Sequence, residues 1–283
     1  MNSLHSTPFL LQRQRPSTST IPFLHVAGPE DGEPILIATM HGKERVLASS
    51  LAALGFCVLL PVGYDTDALG TFSGDIRRLG TAFDAALEKA RRACLATGIA
   101  RAVASEGSYR PSQTLFPGAS NAELMAFVDL EKDFSCIEYL TDLPTRFVKG
   151  RVPADPNAAQ TRELLDTMGW PTIKALVLPQ DPILGTREEE VFKGIGDETG
   201  LQQAMNICAA VSGDGLVHLE TDLRAHMNPT RMASVAQVGQ LLAQRLRREG
   251  YGPSVQAPPA QGVPAYPYPD LPSSKSVDRA IFS

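Results

Sequence analysis

Short apolar runs alternate with amphipathic stretches through the middle of the chain. Pro34 to Thr39 is an apolar run of strand length, and a helix is expected from about Lys43 to Leu54, stopped by Gly55. Phe56 to Leu60 reads as a second strand, ended by Pro61. The clearest helix is Thr81 to Thr97. Phe83, Ala86, Leu87, Ala90, Ala93 and Cys94 form one stripe, Thr81 and Asp84 form a variant capping box, and Gly98 closes it. Ala102 to Ser105 reads as a strand, and Glu123 to Asp129 pairs with Phe134 to Leu140 across a short link. Further strands are expected at Ile173 to Leu178 and Leu216 to Thr221. Helices are expected near Ala158 to Met168, Leu201 to Val211 and Thr230 to Arg248. The order predicts an α/β fold, a mixed central sheet flanked by helices.

The ends break this rhythm. Residues 1–29 contain no acidic side chain, and residues 1–34 are expected to be an N-terminal extension, largely disordered. Residues 250–283 hold seven of the 22 prolines and read as a Pro-rich disordered tail. The folded part is expected to be one α/β domain over 35–249.

Composition removes several function classes. The 283 residues carry a net charge of −5, which argues against a nucleic-acid binder. No apolar run is long enough for a membrane span. The four cysteines stand alone, without a C-x-x-C pair, so neither a disulfide scaffold nor a structural zinc site is expected. G-x-S-x-G and H-x-x-x-H are absent. A cytoplasmic location is the expectation, with no nucleic-acid or membrane partner and the oligomeric state open.

Chemistry gathers at strand ends, where α/β sheets bind ligands. Thr39-Met40-His41-Gly42-Lys43-Glu44 joins a strand to a helix. Such a turn suits an anion, with Thr39, His41 and Gly42 as ligands and Lys43 as a point charge. The segment from Asp65 to Thr81 places Asp65, Asp67 and Asp75 among glycines, a donor set that suits Mg²⁺. Thr71, Ser73 and Arg77 are its candidate ligand-binding residues. Ser105-Glu106-Gly107 follows a strand, with Glu106 placed as metal ligand or base and Ser105 as ligand-binding. Glu220 to Arg231 again joins a strand to a helix. There Asp222 is the candidate for orienting water, Arg224 and Arg231 for binding an anion, and Asn228 for ligand contact or as the cap of a helix with Pro229 in its first turn. Each cluster also reads as an ordinary capped turn, polar loop or ion-pair network.

These four segments resemble an uncharacterised bacterial family, a domain of unknown function, with the forms A-T-x-H-G-K-E, D-T-D-x-x-G-T-F-S-G, A-S-E-G-S and E-T-D-x-R-A-x-x-N-P-T-R. Many of its members end in a cysteine-rich, zinc-ribbon-like segment, where this chain carries the Pro-rich tail. More faintly, Thr39 running into Lys43, then Gly80-Thr81, then Ser105-Glu106-Gly107, is similar to the inosine-triphosphate pyrophosphatase-like superfamily. That likeness departs where His41 replaces an Asn and a single Glu106 replaces two Asp. It implies phosphate binding by Lys43 and a metal-ligand or base role for Glu106; it does not include the loop at 64–80, whose Asp75 or Asp67 is expected from the residues themselves to hold the metal with Glu106. The leading expectation is therefore a Mg²⁺-dependent phosphohydrolase or nucleotide pyrophosphatase, with Glu106, Asp222 and Lys43 catalytic. The alternative is a non-catalytic module that binds a phosphorylated or acidic small molecule.

Overall fold

The computed structural model describes residues 21–39, 41–63, 81–111, 119–181, 185–186 and 191–253. Its main sheet has six strands in the order β1-β3-β2-β4-β5-β6. These are β1 (Phe23–Ala27), β2 (Pro34–Ala38), β3 (Cys57–Pro61), β4 (Arg101–Pro111), β5 (Ala119–Asp129) and β6 (Phe134–Thr145). β2 is parallel to both β3 and β4, whereas β1, β5 and β6 pair antiparallel, so the sheet is mixed.

Helix α1 (Glu44–Ala52) links β2 to β3, and α2 (Ala82–Thr97) links β3 to β4. The first crossover moves from β2 to its neighbour β3, the second passes back over β2 to β4 on its other side, and the two helices cover opposite faces. Leu47, Leu51, Val235, Val238 and Leu242 pack with Ile35, Ile37, Val103, Met125 and Phe127. Ala90, Ala93 and Cys94 pack instead against Leu36, Ala38, Ala102 and Ala104. Strand order reverses at β2, and in open α/β sheets the carboxyl ends of the strands at such a reversal are the usual ligand position. β2 last pairs at Ala38 with Ala104, while β4 runs on to Pro111, so β4 extends beyond β2 at this edge.

The expected elements are present, with differences that have local causes. Thr81 caps α2 through the full capping box with Asp84, and Gly98 closes the helix at φ +75°. Asn228 caps the last helix, α5 (Pro229–Arg248), with Pro229 in its first turn. The third expected strand is longer than its apolar core. Pairing with β5 carries β4 past Ala104, so Glu106 lies within a strand rather than in a turn. The N-terminal extension is also not uniform, because Phe23–Ala27 zips onto β3. Residues 1–20 and 254–283 lie outside the described residues.

Between β6 and α5 the chain builds a second sheet. Its path is β10 (Phe192–Ile195), β8 (Ala175–Asp181), β11 (Leu216–Thr221) and β7 (Lys149–Pro153), with β9 (Gly185–Thr186) beside β8. Helices α3 (Ala159–Met168) and α4 (Glu198–Ser212) contribute to its separate core around Leu165, Met205, Val177 and Leu219. After β11 the chain turns through 222–228, and α5 returns to the main sheet.

Candidate functional site

Strand alternation sorts the polar residues of β4 and β5 between the two faces. On β5, Met125 and Phe127 face α1 and α5, and Ala122, Leu124 and Ala126 face α2. A period of two therefore puts Asn121 and Glu123 on the α5 side. On β4, Val103 faces α5, which puts Ser105, Gly107 and Tyr109 there and turns Glu106 toward α2. Glu106 forms a buried ion pair with Lys89 of α2.

Lys43 enters from the turn after β2. Its Nζ donates to Ser105 Oγ at 2.8 Å, with both side chains buried. Burial, and then the nearby Arg231 charge, lower its pKa to about 8, although Glu123 and Glu106 oppose the fall. Arg231, in the first turn of α5, donates through Nε to Glu123 Oε1 at 2.7 Å and through Nη1 to the Leu223 carbonyl at 2.5 Å. Burial alone would lower its pKa, but Glu123 more than offsets this and holds it raised. The Tyr109 ring lies 5.4 Å from the Arg231 guanidinium carbon, and its hydroxyl reaches Glu123 Oε1 at 3.5 Å. Burial raises the Tyr109 pKa well above its ordinary value, so the phenol stays neutral.

Glycines make this convergence possible. A Cβ on Gly107 would stand 2.6 Å from Glu123 Oε1 and 2.7 Å from Arg231 Nη2. Gly42 adopts φ +68° and passes close to His226. His41 stacks on His226, with ring centroids 5.5 Å apart. Partial desolvation of the ring, then the Arg224 and His41 charges, lower the His226 pKa.

The first, third and fourth segments singled out in the sequence thus meet at the carboxyl edge of the main sheet. Lys43, Ser105 and Arg231 are brought together, and His41, Gly42 and His226 adjoin them. Glu106 is near enough to influence Lys43 but is held by Lys89 on the other face. Asp222 is engaged by Arg224, whose Nη2 lies 2.6 Å from Oδ2, so both are committed to each other. Asn228 uses Oδ1 to cap Thr230 and Arg231. Thr39 stands at the end of β2, its amide bonded to the Ile37 carbonyl. Asp67, Thr71, Ser73, Asp75 and Arg77 lie outside the described residues. The chain leaves β3 at Pro61 and enters α2 at Thr81, and both points lie at this same edge.

Of the charged residues in this cluster, Glu123 and Lys89 were not marked by sequence reasoning. Their signal was faint: an acid inside an apolar strand, and a lysine on the inner side of an alanine-rich helix. Counted together among the described residues, Lys43, Lys89 and Arg231 face two carboxylates, Glu106 and Glu123, leaving one positive charge in excess in a buried setting. An anion is the natural complement. Mg²⁺ is not provided for by this set. Among the described residues, no three His, Cys, Asp or Glu side chains come together as a metal site, and Glu106 is held by a lysine. A cavity of about 620 Å³ beside Arg247, Arg248 and Tyr251 lies at the far end of α5 and shares no residue with this cluster. No described helix is long and apolar enough to cross a membrane.

No curated protein and no solved structure matches the chain. A protein-family model, Domain of unknown function (DUF6671), matches residues 89–263, well over half of the chain, including Glu106, Glu123, Asp222 and Arg231. The chain belongs to this family of uncharacterised domains.

Proposed function

We propose that the carboxyl edge of the main sheet binds a phosphorylated or otherwise polyanionic small molecule. The carrying observation is the buried cationic excess of Lys43 and Arg231, set at the reversal of strand order. Lys43 supplies a compact charge and Arg231 a planar fork with donors beyond those given to Glu123 and Leu223. The stacked His41 and His226 rings sit at the rim, where His226 is exposed.

A second reading is hydrolysis of the bound phosphoester or phosphoanhydride. It is favoured by the positions of Pro61 and Thr81, which start and end the intervening segment 64–80 at this edge. That segment carries Asp65, Asp67 and Asp75. No step is assigned to a metal, because the described residues do not form its site.

The test is thermal unfolding and calorimetry with inorganic phosphate, pyrophosphate and nucleoside triphosphates, with and without Mg²⁺. A ligand at about 100 Kd should stabilise the protein by roughly 2.7 kcal/mol. Lys43→Met and Arg231→Gln should lose that gain. No stabilisation by any of these anions would end the binding reading. Binding without phosphate release in the presence of Mg²⁺ would end the hydrolytic one.

A further inference from the structure

Deep in the same cluster are polar atoms that the fold leaves unanswered. Asn121 is fully buried, and among the described residues neither its Nδ2 nor its Oδ1 has a hydrogen-bond partner. Glu123 is 1% exposed, and Oε2 has no partner among the described residues although Oε1 is held by Arg231. Asn228 is fully buried, and its Nδ2 is likewise unanswered while its Oδ1 caps α5. A buried amide without partners is costly and is normally satisfied.

These atoms belong to one neighbourhood. Asn121 precedes Glu123 by two residues on the same face of β5 and stands opposite Tyr109 on β4. Tyr109 in turn touches Glu123 and lies under Arg231. Asn228 Oδ1 accepts from the Arg231 backbone amide. The unanswered set therefore lies among the residues that surround Arg231. It contains two acceptors, Glu123 Oε2 and Asn121 Oδ1, and two amide donors, Asn121 Nδ2 and Asn228 Nδ2.

We propose that the ligand is a phosphorylated polyol or sugar, whose anionic group meets Lys43 and Arg231 and whose neighbouring hydroxyls are read by Asn121, Glu123 and Asn228. This rests on the anion-binding reading above. A hydroxyl both donates and accepts, which matches an amide beside a carboxylate oxygen. An ammonium group suits the carboxylate but meets a site already one charge positive. Among the described residues, the ring beside the unanswered atoms is Tyr109, and Arg231 already lies over it. A site built to hydrogen-bond a hydroxyl discriminates strongly against an analogue that lacks it, because its own buried groups are then left unpaired.

The experiment measures calorimetric affinity of the full chain for four probes: inorganic phosphate, ethyl phosphate, glycerol 3-phosphate and ribose 5-phosphate. The expected result is at least tenfold tighter binding of a hydroxylated phosphate over ethyl phosphate. Asn121→Leu should bring that ratio close to one, and its unliganded melting temperature should be no lower than that of the parent. Glu123→Gln provides a second variant, expected to narrow the ratio in the same direction. Equal affinity for ethyl and hydroxylated phosphates in the parent would mean that these groups hold water only, and would overturn the proposal. Equal weakening of all four probes by Asn121→Leu would overturn it as well, by making the residue a general support. Failure of every probe to bind would instead overturn the underlying anion reading.

Discussion

Replacing Lys43 by methionine separates binding from folding, because the lysine is expected to be a liability to the empty protein. The side chain is 5% exposed, and its pKa falls from 10.5 to about 8, chiefly through burial. At 1.36 kcal/mol per unit, the ammonium form destabilises the fold by about 3 kcal/mol at pH 7. The folded pKa is depressed, so the unfolded chain binds the proton more tightly. The cost is fully present below pH 8 and is relieved as pH rises from about 8 towards 10.5. Methionine keeps the length of the side chain and removes the charge. It also removes the bond to Ser105 Oγ, worth about 1 kcal/mol. The net expectation at pH 7 is a gain of about 2 kcal/mol, or roughly 4–8 °C in melting temperature for a chain of this size. At pH 9.5 the remaining cost in the parent is about 1 kcal/mol, so the difference should nearly vanish. Thermal unfolding of both proteins at the two pH values checks this, and phosphate stabilisation should be present only in the parent. A lower melting temperature for Lys43→Met at pH 7, or a gap that does not shrink with pH, would refute the reasoning.

Other perturbations probe the supports of the site. Gly107→Ala puts a Cβ against Glu123 and Arg231 and should destabilise by about 1–3 kcal/mol while weakening anion binding, read by denaturant unfolding and calorimetry. Glu106→Gln strands Lys89 in a buried position and should cost roughly 3–5 kcal/mol. The double change Lys89→Leu with Glu106→Leu should recover most of that loss, which a double-mutant cycle measures. His226 has a lowered pKa, so the unfolded chain gains the proton first and stability falls as pH drops below about 6.5. His226→Gln should flatten that part of the stability profile, measured by urea unfolding at pH 5, 6 and 7.

The sequence showed the local parts of the site and hid the long-range ones. Thr81 with Asp84, and Asn228 before Pro229, are written within a few residues, and both caps form as read. Lys43 was legible for the same reason, as a cation at a strand-to-helix turn. Arg231 was legible as a cation, but its partner was not. Glu123 lies 108 residues away, and only strand pairing and the packing of α5 on β5 bring them together. The pairing of Glu106 with Lys89 was hidden by face. It requires knowing that β4 continues past Ala104 and that alternation turns residue 106 toward α2. Asn121 escaped notice because a lone amide in a strand carries meaning only once its lack of partners is known. β1 was missed because it is five residues long, lies between Pro22 and Gly28-Pro29, and exists by pairing with β3. β7 and β10 were missed because neither carries a long apolar run. They are made by β11 and β8 beside them.

The most direct test of the anion site is a crystal of this chain soaked with tungstate, a heavy phosphate analogue located by anomalous scattering. A tungstate within hydrogen-bond distance of Lys43 Nζ and the Arg231 guanidinium, lost in Lys43→Met crystals, is the predicted result. Tungstate bound only elsewhere on the protein, with the space between Lys43 and Arg231 empty at saturating concentration, would contradict it.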